Sequence, residues 1–80
     1  MKDCLVFPFN EEPFVIQVED FLMSVKVRAS GGDYEDRRIG KFSVTSSGKS
    51  TDYLYAHGYD IAPPRSEIKA AIEKRSPQPL

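Results

Sequence analysis

The sequence predicts an α+β domain: a four- to five-stranded antiparallel sheet with one C-terminal helix packed on its apolar face. Three observations carry that expectation. Apolar and polar residues alternate through Phe14–Val18 and again through Phe21–Ala29, the period-two pattern of half-buried strands. Ile68, Ala71, Ile72 and Arg75 recur at helical spacing after Pro63-Pro64, where a proline's missing N–H costs nothing. Eighty residues with 40% apolar and 29% charged composition fit one small globular core rather than a disordered chain.

The elements follow in chain order. Leu5–Phe9 reads as a short strand that Pro8 confines to an edge, and Asn10–Pro13 is a polar connection. Phe14, Ile16 and Val18 then face inward, followed by Phe21, Met23, Val25, Val27 and Ala29. The inward set switches from even to odd numbers at Glu19-Asp20. A two-residue turn there would pair Val18 with Phe21, Ile16 with Met23 and Phe14 with Val25, bringing all six onto one face. A β-bulge in one bent strand gives the same change of phase, and Glu-Asp is poor turn chemistry, yet the hairpin is the preferred reading.

Downstream, Gly31–Asp36 reads as a loop. Ile39–Thr45 follows as a third long strand, with Phe42 and Val44 inward and Lys41, Ser43 and Thr45 outward. Ser46–Asp52 is a second loop, and Tyr53–His57 a further strand that Gly58 ends. Ser66 is the expected helix N-cap, and Pro77 with Pro79 ends the helix. The compact domain should span residues 1–75, with a frayed tail over 76–80. Its expected core is Phe14, Ile16, Val18, Phe21, Met23, Val25, Val27, Phe42, Val44, Ile68, Ala71 and Ile72.

Charge and cysteine usage narrow the functional classes. A net charge of −1 argues against a bulk polycation for nucleic acid, although residues 1–20 carry −4 and residues 61–80 carry +2. Cys4 is the only cysteine, so no disulfide framework exists, and its apolar neighbours mark it as a small core residue. His57 is the only histidine and has no zinc-type spacing around it. No leader pattern opens the chain and no run approaches the ~20 apolar residues of a membrane span, so the expected compartment is the cytoplasm.

Two strings look like motifs. Gly48-Lys49-Ser50-Thr51 matches the end of a phosphate-binding loop, but Ser43 stands where the first glycine belongs and a strand follows instead of a helix. Gly31-Gly32-Asp33-Tyr34-Glu35 resembles the hairpin signature of diguanylate cyclases, with Tyr34 in place of an acidic residue. Those five residues are the whole likeness, in a chain half the length of that catalytic domain. Ordinary Gly-Gly-Asp turn chemistry accounts for them. Asp33, Glu35 and Asp36 lack the ligand order of a calcium loop. No catalytic residue, metal site or cofactor is therefore expected.

Two outward surfaces are candidates for partner binding. Lys26, Arg28 and Lys41 would form a basic, hydroxyl-rich patch with Ser24, Ser43 and Thr45 if residues 21–29 and 39–45 pair. Tyr53, Tyr55 and His57 would share a face, with Tyr34 in a loop, and exposed tyrosines suit interfaces or base stacking. The opposite register buries the tyrosines and exposes Leu54. The expected function is a non-enzymatic interaction module that inhibits or regulates a larger protein or complex. In size and composition the chain is similar to small inhibitors encoded by phages and mobile elements, anti-CRISPR proteins among them. A nucleic-acid-binding module and a small enzyme or enzyme subunit are the alternatives. The marginal size also leaves room for a homodimer.

Overall fold

The run Leu5-Val6-Phe7 decides the architecture. In the computed structural model, which describes residues 1–80, strand β1 (Lys2–Phe7) buries Cys4 and Val6 on one side and Leu5 and Phe7 on the other. Side chains alternate across a strand, so one buried on both sides needs cover above and below. β1 accordingly sits inside a four-stranded sheet of order β2-β1-β6-β5, built with β2 (Phe14–Val18), β5 (Gly40–Ser46) and β6 (Lys49–His57). β3 (Ser24–Arg28) and β4 (Tyr34–Arg38) form a separate two-stranded sheet, and α1 spans Arg65–Arg75.

The result is a small α+β fold of two mostly antiparallel sheets and one C-terminal helix. β1 pairs antiparallel with β2 but parallel with β6, Cys4 lying opposite Leu54 and Phe7 opposite His57. Val25 and Val27 press the β3–β4 hairpin onto Cys4, Val6, Val18 and Ala56. On the other face, Ile68, Ala71 and Ile72 of α1 meet Leu5, Phe7 and Phe42. The first strand is therefore interior rather than an edge, and Pro8 falls just beyond it, where no ladder bond is lost.

The expected hairpin at Glu19-Asp20 does not form. β2 bonds to β1 and β3 bonds to β4, and a turn in which Leu22 N–H donates to the Glu19 carbonyl (3.0 Å) carries the chain from one sheet to the other. The change of phase is real and marks a change of layer. Ile16 and Val18 look out from the large sheet, and Val25 and Val27 look back at them from the small one. Phe21 and Met23, expected in the core, belong to the connection between the layers and stand in solvent at 92% and 66% exposure, and Phe14 is also exposed.

The expected loops Gly31–Asp36 and Ser46–Asp52 are both shortened to tight turns. Gly32 at φ 90° lets Ala29 and Asp33 close a tight turn, so Tyr34–Arg38 becomes a strand. Ser47 and Gly48, both at positive φ (52° and 77°), make a two-residue turn of the type that matches strand twist, and β6 begins at Lys49. Pro64 rather than Ser66 is the residue before the helix, without a side-chain cap, and Ser76 closes it in the left-handed conformation. Beyond it Pro77 is buried, Gln78 N–H donates to Asp3 Oδ2 (2.8 Å), and Leu80 N–H to the Asp52 carbonyl (2.8 Å). No helix is long and apolar enough to cross a membrane.

Candidate functional site

The turn between β2 and β3 presents Phe21, Leu22 and Met23 to solvent in succession, at 92%, 45% and 66% exposure. Its backbone is fastened at both ends. Leu22 N–H donates to the Glu19 carbonyl, and the Met23 carbonyl accepts from Ile39 N–H at 2.9 Å, which ties the turn to both sheets. The exposed Met1 lies beside the turn, its amine 3.7 Å from Asp20 Oδ1. Single exposed apolar side chains are ordinary, whereas three in succession make this turn the candidate site for contact with a partner.

The anticipated basic patch is divided. Lys26, Arg28 and Tyr34 stand on the outer face of the β3–β4 hairpin, because β3 pairs with β4 and not with β5. Lys41 belongs to the other sheet. Lys26 is held by Asp36 at 3.3 Å and Arg28 by Glu11 at 2.7 Å, so neither cation is free to meet a phosphate without releasing a carboxylate.

Neither register expected for β6 applies unchanged, because both faces of the sheet are covered and neither the tyrosines nor Leu54 are left exposed. Leu54 and Ala56 pack under the β3–β4 hairpin, while Tyr53 and Tyr55 pack on the helix side. Tyr55 is half-buried between Phe7 and Phe42, in edge-on contact with each at 6.5 and 6.3 Å between ring centres. His57 stacks on Tyr55, and its Nδ1 is buried without a hydrogen-bond partner. Thus Tyr55 works mainly as core, and Tyr34, at 66% exposure, is the tyrosine most open to a partner.

Tyr59 joins three segments. Its hydroxyl accepts from Asn10 N–H (3.2 Å), its ring lies on Phe9, and its carbonyl accepts from Arg37 Nη1 (3.2 Å). The signal for the exposed turn was present in the sequence. Leu22 interrupts the alternation, so Phe21-Leu22-Met23 is a run of three apolar residues that no one-faced strand can bury.

Cys4 and His57 cannot share a metal, since Cys4 faces the β3–β4 hairpin and His57 faces the helix. No group of three histidine, cysteine or carboxylate side chains converges anywhere. Burial pushes the Cys4 thiol from its ordinary 9.0 up to about 11. As pH rises, the unfolded chain releases this proton first, so the folded state binds more protons between about pH 9 and 11. Stability should be flat in this contribution below that window and fall by roughly 2–3 kcal/mol across it. Urea unfolding of wild type and Cys4→Ala isolates the effect, and a difference between them that ignores pH would refute it.

The chain matches no protein-family model, no curated protein and no solved structure.

Proposed function

We propose that this chain is a non-enzymatic interaction module that binds a larger protein through the turn Phe21-Leu22-Met23 and thereby inhibits or regulates it. One observation carries the reading: three consecutive large apolar side chains are held in water in one turn, and Phe21 is the most exposed large apolar residue of the chain. Burying each in a partner's pocket is worth roughly 1.5–3 kcal/mol, and such anchors dominate protein interfaces. The chain is similar to small inhibitors carried by phages and mobile elements in size and composition alone. We assign its action to the cytoplasm, where a lone thiol is ordinary. The nucleic-acid alternative loses support because Lys26 and Arg28 have carboxylate partners.

The test is affinity capture from a lysate of the native host with wild type and with the double variant Phe21→Ser/Met23→Ser. Wild type should recover one stoichiometric partner, and the variant should bind it at least about thirtyfold more weakly. Both substitutions are at exposed positions, so folding stability should stay within about 0.5 kcal/mol. Undiminished capture by the variant, or capture of nothing, rejects the reading. A wild-type dimer that the variant dissolves would assign the turn to self-association instead.

A further inference from the structure

β5 is the open edge of the large sheet. The two-residue turn Ser47-Gly48 makes Ser46 and Lys49 a hydrogen-bonded pair, and such pairs alternate along an antiparallel ladder. Phe42 and Val44 therefore bond to β6, while Lys41, Ser43 and Thr45 turn their N–H and C=O groups outward. The Arg65 guanidinium donates to the Ser43 carbonyl at 3.1 Å, as that parity requires. The amides of Lys41, Ser43 and Thr45 and the carbonyls of Lys41 and Thr45 are left for a further strand.

The same edge is strongly cationic. From Gly40 to Thr51, through β5 and into β6, the chain contains no acidic residue, and it carries Lys41 and Lys49. α1 adds Arg65 and Lys69, one helical turn apart, on the far side of a cleft of about 300 Å³ whose walls include Phe42, Val44 and Thr45. Lys41, Lys49, Arg65 and Lys69 make no ion pair, whereas Lys26, Arg28, Arg37 and Arg75 each do. The nearest carboxylate across the ladder, Asp52, is engaged by the Ser43 hydroxyl. Glu67 lines the cleft on the opposite side of the helix, and Glu73 lies a turn beyond Lys69, outside this one. Arg65 is positioned in advance, its guanidinium 4.6 Å from the centre of the Phe42 ring.

We infer that the β5 edge and its cleft bind an extended acidic segment of a partner protein, which adds a strand to the sheet. Its backbone would supply the alternating donors and acceptors that Lys41, Ser43 and Thr45 lack. Its carboxylates on one face would meet Arg65 and Lys69, where Arg65 offers a two-pronged contact, and on the other face Lys41. A nucleic acid supplies phosphate acceptors but not the regular donors that the outward carbonyls require. A second copy pairing through β5 would set Lys41, Lys49, Arg65 and Lys69 against their own counterparts. This surface does not use the apolar turn, and it stands or falls separately.

The probe is a fluorescein-labelled peptide alternating Glu and Asp with Val and Thr, followed by fluorescence anisotropy at low and raised salt. It should bind at low salt, weaken as salt rises, and slow amide exchange at Lys41, Ser43 and Thr45. The exposed double substitution Lys41→Glu/Lys69→Glu should weaken binding at least about tenfold while circular dichroism stays native. Phe21→Ser/Met23→Ser should bind the peptide like wild type, which keeps this test apart from that of the apolar turn. Absence of binding at low salt overturns the inference. So does equal binding of the same peptide N-methylated at alternate amides, because charge alone would then suffice. Oligothymidylate of matched charge binding as tightly or more tightly overturns it in favour of a nucleic-acid surface.

Discussion

Replacing Gly58 with alanine should cost about 3–5 kcal/mol, enough to unfold much of a domain this small. A Cβ at that position would stand 1.8 Å from the Arg28 carbonyl oxygen and 2.8 Å from its carbon. The obstacle is backbone, so no side-chain rotation relieves it. That carbonyl also accepts the Phe9 N–H at 3.0 Å, and Gly58 N–H donates to Phe7 at 2.9 Å. Any shift that admits the methyl group therefore strains the junction where the end of β6 crosses the end of β3. Gly31 is the matched control. Nothing lies within 4 Å of a Cβ there and its φ is not positive, so Gly31→Ala should be neutral or stabilising by up to about 1 kcal/mol. Urea midpoints of the two variants decide the matter, and a Gly58→Ala loss under about 1 kcal/mol would show that the two sheets do not meet as closely as described.

Leu5→Ala should destabilise by about 3–4 kcal/mol. Leu5 is fully buried, with Phe7, Phe42, Ile68, Ala71 and Ile72 around it, and these neighbours belong to three different strands or helices. They are fixed by their own packing, so the vacated volume would collapse only in part. Phe21→Ser provides the contrast. It removes a larger apolar side chain, yet should shift stability by less than about 0.5 kcal/mol because Phe21 touches water rather than core. A loss above about 1.5 kcal/mol for Phe21→Ser would place that ring inside the fold and undercut its role as an anchor. The urea slope should be unchanged in both variants if each acts on stability alone.

Particular residues explain how far the sequence could be read. The strands over Phe14–Val18 and Ser24–Arg28 were legible because one buried face imposes alternation. The helix was legible from Ile68, Ala71 and Ile72 between its flanking prolines. β4 was not, because Tyr34-Glu35-Asp36-Arg37-Arg38 puts almost nothing apolar into the core and gains its ladder from β3. The candidate surfaces fared less well for a related reason. Lys26, Arg28 and Lys41 share outward parity within their own strands, but whether they are neighbours depends on strand pairing. Arg65 and Lys69, more than twenty residues from Lys41, reach β5 only through the packing of α1.

The amino-acid pattern by itself determined the α+β class, the inward set of most strands, the position of the helix and the absence of a disulfide framework. Each of these depends on local periodicity or on composition, which neighbours along the chain carry. Tertiary structure alone decided which strands pair, that β1 is interior, and that the turn at Glu19-Asp20 changes layers. It thereby turned Phe21 and Met23 from core into surface and joined the cations of β5 and α1 along one edge. The physical reason is that alternation reports that a side chain is covered, never by what. Val18 and Val25 would read the same in one sheet or in two that face each other, and only the packing of the whole chain distinguishes them.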